Sequence, residues 1–108
     1  MTTISIWKND KGLKAFEAYG HANYSKFGKD IVCSAISILL INTINSIENF
    51  TSDIIDVTTD EKSGLIRCVF EKVPSKESDL LVKSMILGLK QIQNEYGKKF
   101  IDINYEEV

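Results

Sequence analysis

The sequence predicts an α+β domain in which a five-stranded sheet packs with two helices, in the order β-β-α-β-β-α-β. Three observations lead there. Two turn signals, Asn9-Asp10-Lys11-Gly12 and Asp60-Glu61-Lys62-Ser63-Gly64, each separate short runs of alternating side chains, as hairpins require. Each hairpin is followed by a helix-length segment, over residues 30–49 and 77–96. A last alternating run, 100–105, adds one strand to the repeated hairpin-plus-helix unit. With 108 residues, 44% of them hydrophobic, and no linker or low-complexity segment, the chain is expected to form a single domain over 1–108. Its core is small, so burial by self-association would be no surprise.

In chain order, Ile4, Ile6 and Trp7 make the first strand. The second, 13–22, sets Phe16, Ala18, Gly20 and Ala22 on one face against Ala15, Glu17, Tyr19 and His21 on the other. That alternation turns His21 away from Phe16, and neither helix is expected to cover the face of Trp7 and Tyr19. The segment 30–49 is rich in isoleucine, which favours strands, but its length and a capping residue at Asp30 argue for helix. It is apolar on most sides as far as Asn42, so more than one neighbour should cover it. In the second hairpin, 54–59 and 65–72, Ile66, Cys68 and Phe70 alternate against Arg67, Val69 and Glu71, which places Cys68 in the core as a small hydrophobe. Pro74-Ser75 closes that strand. Glu77 and Asp79 suit the first turn of the next helix, Leu81, Met85, Leu89, Ile92 and Tyr96 run along its apolar face, and Gly97 ends it. In the last strand Ile101, Ile103 and Tyr105 alternate with Asp102 and Asn104, and the acidic end Glu106-Glu107 is expected to fray.

Charge and cysteine usage exclude several classes of function. Thirteen basic against fifteen acidic residues give a net charge of -2, which offers no attraction to nucleic acid or an anionic membrane. Cys33 and Cys68 show no metal-ligand spacing, and with one histidine in the chain a zinc site would need carboxylates, so no metal and no cofactor is expected. The start Met1-Thr2-Thr3-Ile4 lacks the basic-then-apolar pattern of a signal peptide, and free thiols fit a reducing cytosol, so the expected location is cytoplasmic. The apolar run 31–41 is too short to span a bilayer and reads as a buried helix.

The chemistry gathers between residues 20 and 37. Asp30 stands where an N-cap should, which puts Cys33 at about the third helical position, where the positive end of the helix favours negative charge. Free N–H groups of that first turn point to where an oxyanion could develop. His21 lies upstream, flanked by Gly20 and Ala22, small residues that let a substrate or another backbone come close. Thiol chemistry on a carbonyl needs one base to take the thiol proton and later return it to a leaving amine, and the chain offers one histidine for that work. Cys33 and His21 are therefore the candidate catalytic pair. The loop between them holds Lys26, Lys29 and Gly28, which can act as a hinge, together with Tyr24 and Phe27. Those two aromatics, with Tyr19, are candidate walls for a bound peptide. Asp30 has two roles open to it, N-cap or third member of a triad orienting His21, with the cap preferred. Ser37, one turn after Cys33, either supports the site or is a shielded helix serine.

Gly20-His21-Ala22 followed by Gly28-x-Asp30-Ile31-Val32-Cys33-x-Ala35-x-Ser37 resembles the ribosomal-processing cysteine protease family of Gram-positive and related bacteria. A looser match continues at Gly88-Leu89, Ile92 and Tyr96, so the resemblance spans nearly the whole chain. It implies a Cys-His protease that removes an N-terminal extension from the large-subunit ribosomal protein whose tail approaches the peptidyl-transferase centre, cutting after paired aromatic residues. It also implies a homodimer. Asn23 stands where that pattern has glycine, and asparagine is the residue that best tolerates left-handed geometry in its place. Ser34 replaces a second alanine, a minor change in a first helical turn.

A reading from another class is a non-catalytic module whose helix end and apolar groove hold a peptide or ribosomal tail, with Cys33 only packing. Iodoacetamide separates the two: a nucleophile reacts quickly at neutral pH in a His21-dependent way, and a packing thiol reacts slowly whatever residue 21 is.

Overall fold

Ile4 and Ile6 sit two apart on an extended chain, so both point to one side, and there both are fully buried. They belong to β1 (Thr2–Asn9), which pairs antiparallel with β2 (Gly12–Tyr19), Ile4 opposite Ala18 and Ile6 opposite Phe16. The computed structural model describes residues 1–26 and 30–108. After β2 come α1 (Ile31–Phe50), β3 (Ile55–Asp60), β4 (Leu65–Phe70), α2 (Lys76–Tyr96) and β5 (Ile101–Glu107), the order expected from the sequence. The five strands form one mixed sheet in the spatial order β3-β4-β2-β1-β5, antiparallel except for β1 beside β5.

Both helices pack on the face that carries Ile4, Ile6, Phe16, Cys68 and Phe70. α1 buries Val32, Ile36, Leu40, Ile44 and Ile47, the three- and four-residue spacing of one helical stripe. α2 buries Val82, Met85 and Leu89 at the same spacing. Each of these large side chains contributes about 1.5–3 kcal/mol on leaving water, so the stripes hold both helices to the sheet. Ser75 caps α2, its hydroxyl oxygen accepting the Ser78 N–H at 3.2 Å. Cys68 is fully buried as expected; burial, with the charge of Glu48 added, pushes its thiol up to about 12. The opposite face, with Glu17, Tyr19 and Arg67, carries no helix among the described residues, and there Arg67 Nε donates to Glu17 Oε1 at 2.8 Å across paired strands.

Three expectations are corrected. First, β2 stops at Tyr19 rather than running to residue 22, because Gly20 takes φ +90°. Second, the register slips after Trp7, which faces Ala15 while Lys8 faces Leu13; this bulge returns Leu13 to the core beneath the helices, where strict alternation would have left it on the face of Ala15. Third, the acidic end is not frayed. Glu106 and Glu107 pair with Trp7 and Lys8, and the Val108 N–H donates to the Lys8 carbonyl at 2.9 Å, because the parallel ladder with β1 runs to that strand's end. As expected, more than one neighbour covers α1, namely the sheet and α2, but together they shield one side of the helix, and Ile31, Ile38 and Ile41 are exposed. By length and composition alone α1 is long and apolar enough to cross a membrane, which the run 31–41 understated, yet its buried stripe lies in the core of the domain.

Candidate active site

Asp30 opens α1 and ties it to the loop that leaves β2. Its backbone is extended, and its Oδ1 accepts the Cys33 N–H at 3.0 Å, the geometry of an N-cap. Oδ2 accepts the N–H of Tyr24 at 2.8 Å and of Ser25 at 3.3 Å. Burial alone would raise this carboxyl's pKa, but the N–H groups of Cys33, Tyr24 and Ser25 outweigh it and hold the group below the ordinary carboxylate value. Of the two roles open to Asp30, its oxygens are spent on the cap and on that loop. Asn23 just before takes φ +60°, the left-handed geometry expected of it.

The cap sets where the thiol points. Cys33, half-buried on the first turn, brings Sγ to 3.8 Å from His21 Nδ1. His21 arrives there by a route that alternation did not predict. The φ of Gly20 breaks the strand's alternation, so the ring turns to the helix side, where it shares a cleft with Ala18, Ile36 and Ile66, instead of pointing away from Phe16. Gly20 is itself pinned: its N–H donates to the Ser63 carbonyl at 3.0 Å and its carbonyl accepts the Thr2 hydroxyl at 3.1 Å. A Cβ here would fall 2.8 Å from the Met1 carbonyl oxygen, so glycine is required. On the far side of the ring, Nε2 lies 3.1 Å from the Lys62 carbonyl.

The free amides expected for an oxyanion are corrected at two positions. The Cys33 N–H is committed to Asp30 Oδ1, and the Ser34 N–H donates to the Asp30 carbonyl at 3.0 Å. The dipole of this helix end still favours a developing negative charge.

Beside the thiol and the ring opens a cleft of about 720 Å³ between α1 and the β3–β4 turn. Gly20, Ser34 and Ser37 border it near the sulfur, and its apolar wall is made by Ile36, Ile38, Ile41, Leu65 and Ile66. The exposure of Ile38 and Ile41 thus belongs in part to this cleft. Two of the three expected aromatic walls, Tyr24 and Tyr19, stand elsewhere. The Tyr24 ring packs edge-on against Tyr96 at 5.4 Å and Phe100 at 5.1 Å, leaving Asn23 and Ser25 to face the cleft, and Tyr19 is exposed on the helix-free face. Phe27, Gly28 and Lys29 lie outside the described residues. Among the described residues no group of three His, Cys, Asp or Glu side chains is placed to hold a metal ion.

Sequence reading missed three contributors to this site: Thr2, the Lys62 carbonyl and Gly64. The turn at residues 60–64 was legible as a hairpin signal, but no linear pattern places its carbonyl against a histidine 41 positions away.

A mixed sheet that brings a helix-end thiol beside an imidazole, at the mouth of an apolar cleft, has the layout expected of a cysteine peptidase. Comparison with known proteins gives the same class. The profile of a family described as "Cysteine protease Prp" matches residues 1–101. The chain is 32% identical over 108 residues to the ribosomal processing cysteine protease Prp of Staphylococcus aureus, spanning 98% of this chain and 100% of that one. Its counterpart in Bacillus subtilis is 28% identical over 94 residues, 82% of each chain. The crystal structure of the S. aureus protease in complex with a covalently linked product peptide aligns with a TM-score of 0.90 at 31% identity, covering 98% of this chain and 100% of that one. This chain belongs to the Prp cysteine protease family, and it is a cysteine protease.

Proposed function

We propose that this protease removes the N-terminal extension of a large-subunit ribosomal protein, with Cys33 as nucleophile and His21 as its acid and base. The observation that carries the reading is the 3.8 Å approach of Cys33 Sγ to His21 Nδ1 at the mouth of an apolar cleft. The thiol proton passes to His21 and the sulfur attacks the scissile carbonyl carbon. The tetrahedral intermediate collapses, the C–N bond breaks, and His21 gives its proton to the departing amine. Water then attacks the thioester while His21 takes its proton; the C–S bond breaks and the sulfur recovers that proton. Asp30 supports the pair by fixing the helix start, and Ser37 borders the cleft one turn away.

The cleft suits an extended peptide with large apolar side chains, which Ile38, Ile41 and Leu65 would contact. Tyr24, held by Tyr96 and Phe100, then acts through Asn23 and Ser25 beside it, and Phe27 remains a further candidate for substrate contact. The S. aureus relative is described with a covalently linked product peptide, which supports a peptide occupant here. The test incubates the protein with a peptide spanning the precursor's cleavage site and with one whose paired aromatics are alanines, following mass. The first is expected to be cut at one bond and the second at least about tenfold more slowly, since each lost apolar contact is worth roughly 1–3 kcal/mol. Equal cutting of both, or cutting of neither, would defeat this specificity.

A ribosomal protein as substrate supports a cytoplasmic location for the enzyme. Exposed Ile31 on α1 and Leu80 and Leu87 on α2 are apolar surface that a second copy would cover, and a homodimer is part of this reading. Light scattering at micromolar concentration should give twice the 12.2 kDa of the chain. A mass near 12.2 kDa would remove the dimer.

A further inference from the structure

The histidine of a Cys-His pair must present a lone pair, not a proton, to the thiol. In neutral imidazole one ring nitrogen carries the proton, and which one it is depends on the partners the two nitrogens have. Here His21 Nε2 lies 3.1 Å from the Lys62 carbonyl, a group that can only accept, while Nδ1 faces Cys33 Sγ at 3.8 Å. A proton on Nε2 satisfies that carbonyl and leaves the Nδ1 lone pair toward sulfur.

The turn carrying Lys62 is built to hold its carbonyl there. Asp60 accepts the Lys62 N–H at 3.2 Å and the Ser63 hydroxyl at 2.8 Å, and the Gly64 N–H donates to the Glu61 carbonyl at 3.2 Å. Ser63 in turn accepts the Gly20 N–H, so the turn is pinned to the residue before His21. Gly64 lets the two segments close on each other. It adopts φ +71°, and a Cβ there would fall 2.6 Å from the Gly20 carbonyl oxygen and 3.3 Å from His21 Cε1. A side chain at 64 would push apart the turn and the ring.

We propose that the β3–β4 turn is a positioning element of the active site: the Lys62 carbonyl fixes the proton of His21 on Nε2, and Gly64 makes that approach possible. The carbonyl fills the orienting place that a carboxylate holds in a triad, which fits the commitment of Asp30 to backbone amides. When the thiol proton moves to Nδ1, the ring becomes a cation whose Nε2–H still donates to Lys62, now as a charge-assisted bond that favours the thiolate-imidazolium state. The inference rests on the Cys-His reading above, and its test fails separately from that reading.

His21 is the chain's sole histidine, so untagged protein labelled with 15N gives a single imidazole pattern that needs no assignment. In Cys33→Ala, where no thiol shares the proton, the neutral ring is expected to carry it on Nε2; a ring protonated on Nδ1 overturns the proposal. Gly64→Ala in the otherwise unaltered enzyme should lower kcat about a hundredfold with KM little changed, the effect of a misplacement of order 1 Å. The double variant Gly64→Ala/Cys33→Ala should show the proton divided between both nitrogens. Unchanged kcat together with an undisturbed Nε2 proton would sink the role of Gly64, and if Gly64→Ala does not fold, the ring pattern of Cys33→Ala alone decides. Turnover by Cys33→Ala at the unaltered rate would refute the Cys-His reading itself, whatever the ring shows.

Discussion

Cys33→Ala and His21→Ala are each expected to lower peptide cleavage by at least about a thousandfold, and the double variant by little more than either alone, because nucleophile and base act as a unit. The fold should survive the first change. Cys33 is half-buried, and alanine removes only the sulfur from a first-turn position whose cap, Asp30, is untouched, so the stability change should stay within about 1 kcal/mol. The second cysteine is the internal control. Cys68 is fully buried and its thiol is pushed up to about 12, so it stays protonated and unreactive at neutral pH. Iodoacetamide should therefore label residue 33 alone, and the labelling should slow in His21→Ala. Cys68→Ser puts a hydroxyl into the core and should cost about 1–3 kcal/mol, with any activity loss following the loss of fold. Melting curves and initial rates on the three single variants check all of this. Wild-type turnover by Cys33→Ala would end the mechanism, and full activity in His21→Ala would leave the thiol without its assigned base.

The element order and the cysteine-histidine neighbourhood were legible because they rest on local patterns. Turn residues at 9–12 and 60–64, a cap at Asp30 and the alternation of Ile66, Cys68 and Phe70 each reflect interactions within a few positions. What alternation missed, it missed where the backbone leaves the extended region. Gly20 at φ +90° redirected His21, and the slip after Trp7 redirected Leu13, and neither leaves a mark in a period-two pattern. Tyr24 is missing from the cleft wall for a different reason. Tyr24 was assigned to substrate as an apolar side chain in a polar loop, but Tyr96 at the end of α2 and Phe100 before β5 lie close enough to take it. Proximity across about 70 positions is decided by the sheet order β3-β4-β2-β1-β5 with its parallel last pair, and strand order is what a single sequence states least. The Lys62 carbonyl was hidden more deeply, since a backbone acceptor has no residue type to recognise.

Asp53→Ala is expected to destabilise the domain by about 3 kcal/mol. Asp53 sits in the connection between α1 and β3, yet its carboxylate serves the start of α2. Its Oδ2 accepts the Ser75 N–H at 3.0 Å, the Ser75 hydroxyl at 2.6 Å and the Ser78 hydroxyl. Ser75 is the residue that caps α2, and Ser78 is fully buried. Removing the carboxylate leaves the Ser78 hydroxyl with Thr51 Oγ1 at 3.4 Å, a poor substitute, and frees the cap residue that its charge held in place. A buried hydroxyl deprived of a charged acceptor costs more than an exposed cap does, which is why the effect should exceed the ordinary 0.5–2 kcal/mol of a lost cap. For a domain of this size such a loss lowers the melting temperature by roughly 10–20 °C. The pH dependence follows from the sign of the shift. Burial would raise the Asp53 pKa, but the Ser75 and Ser78 hydroxyls and the Ser75 N–H outweigh it and hold the group below its ordinary value. Its stabilising effect is therefore complete above about pH 4 and is lost as pH falls through the lowered value. Asp30 is shifted the same way, so the unaltered protein should hold its stability from neutral pH down to about 4 and lose it steeply below. In Asp53→Ala the melting temperature should be low throughout, with a shallower fall in acid because one of the two linked carboxylates is gone. Urea unfolding at pH 7 and pH 3 measures both. A midpoint at pH 7 within error of the unaltered chain would show that the Ser75 and Ser78 hydroxyls find other acceptors, and an acid slope as steep as before would show that Asp53 is not the group that titrates.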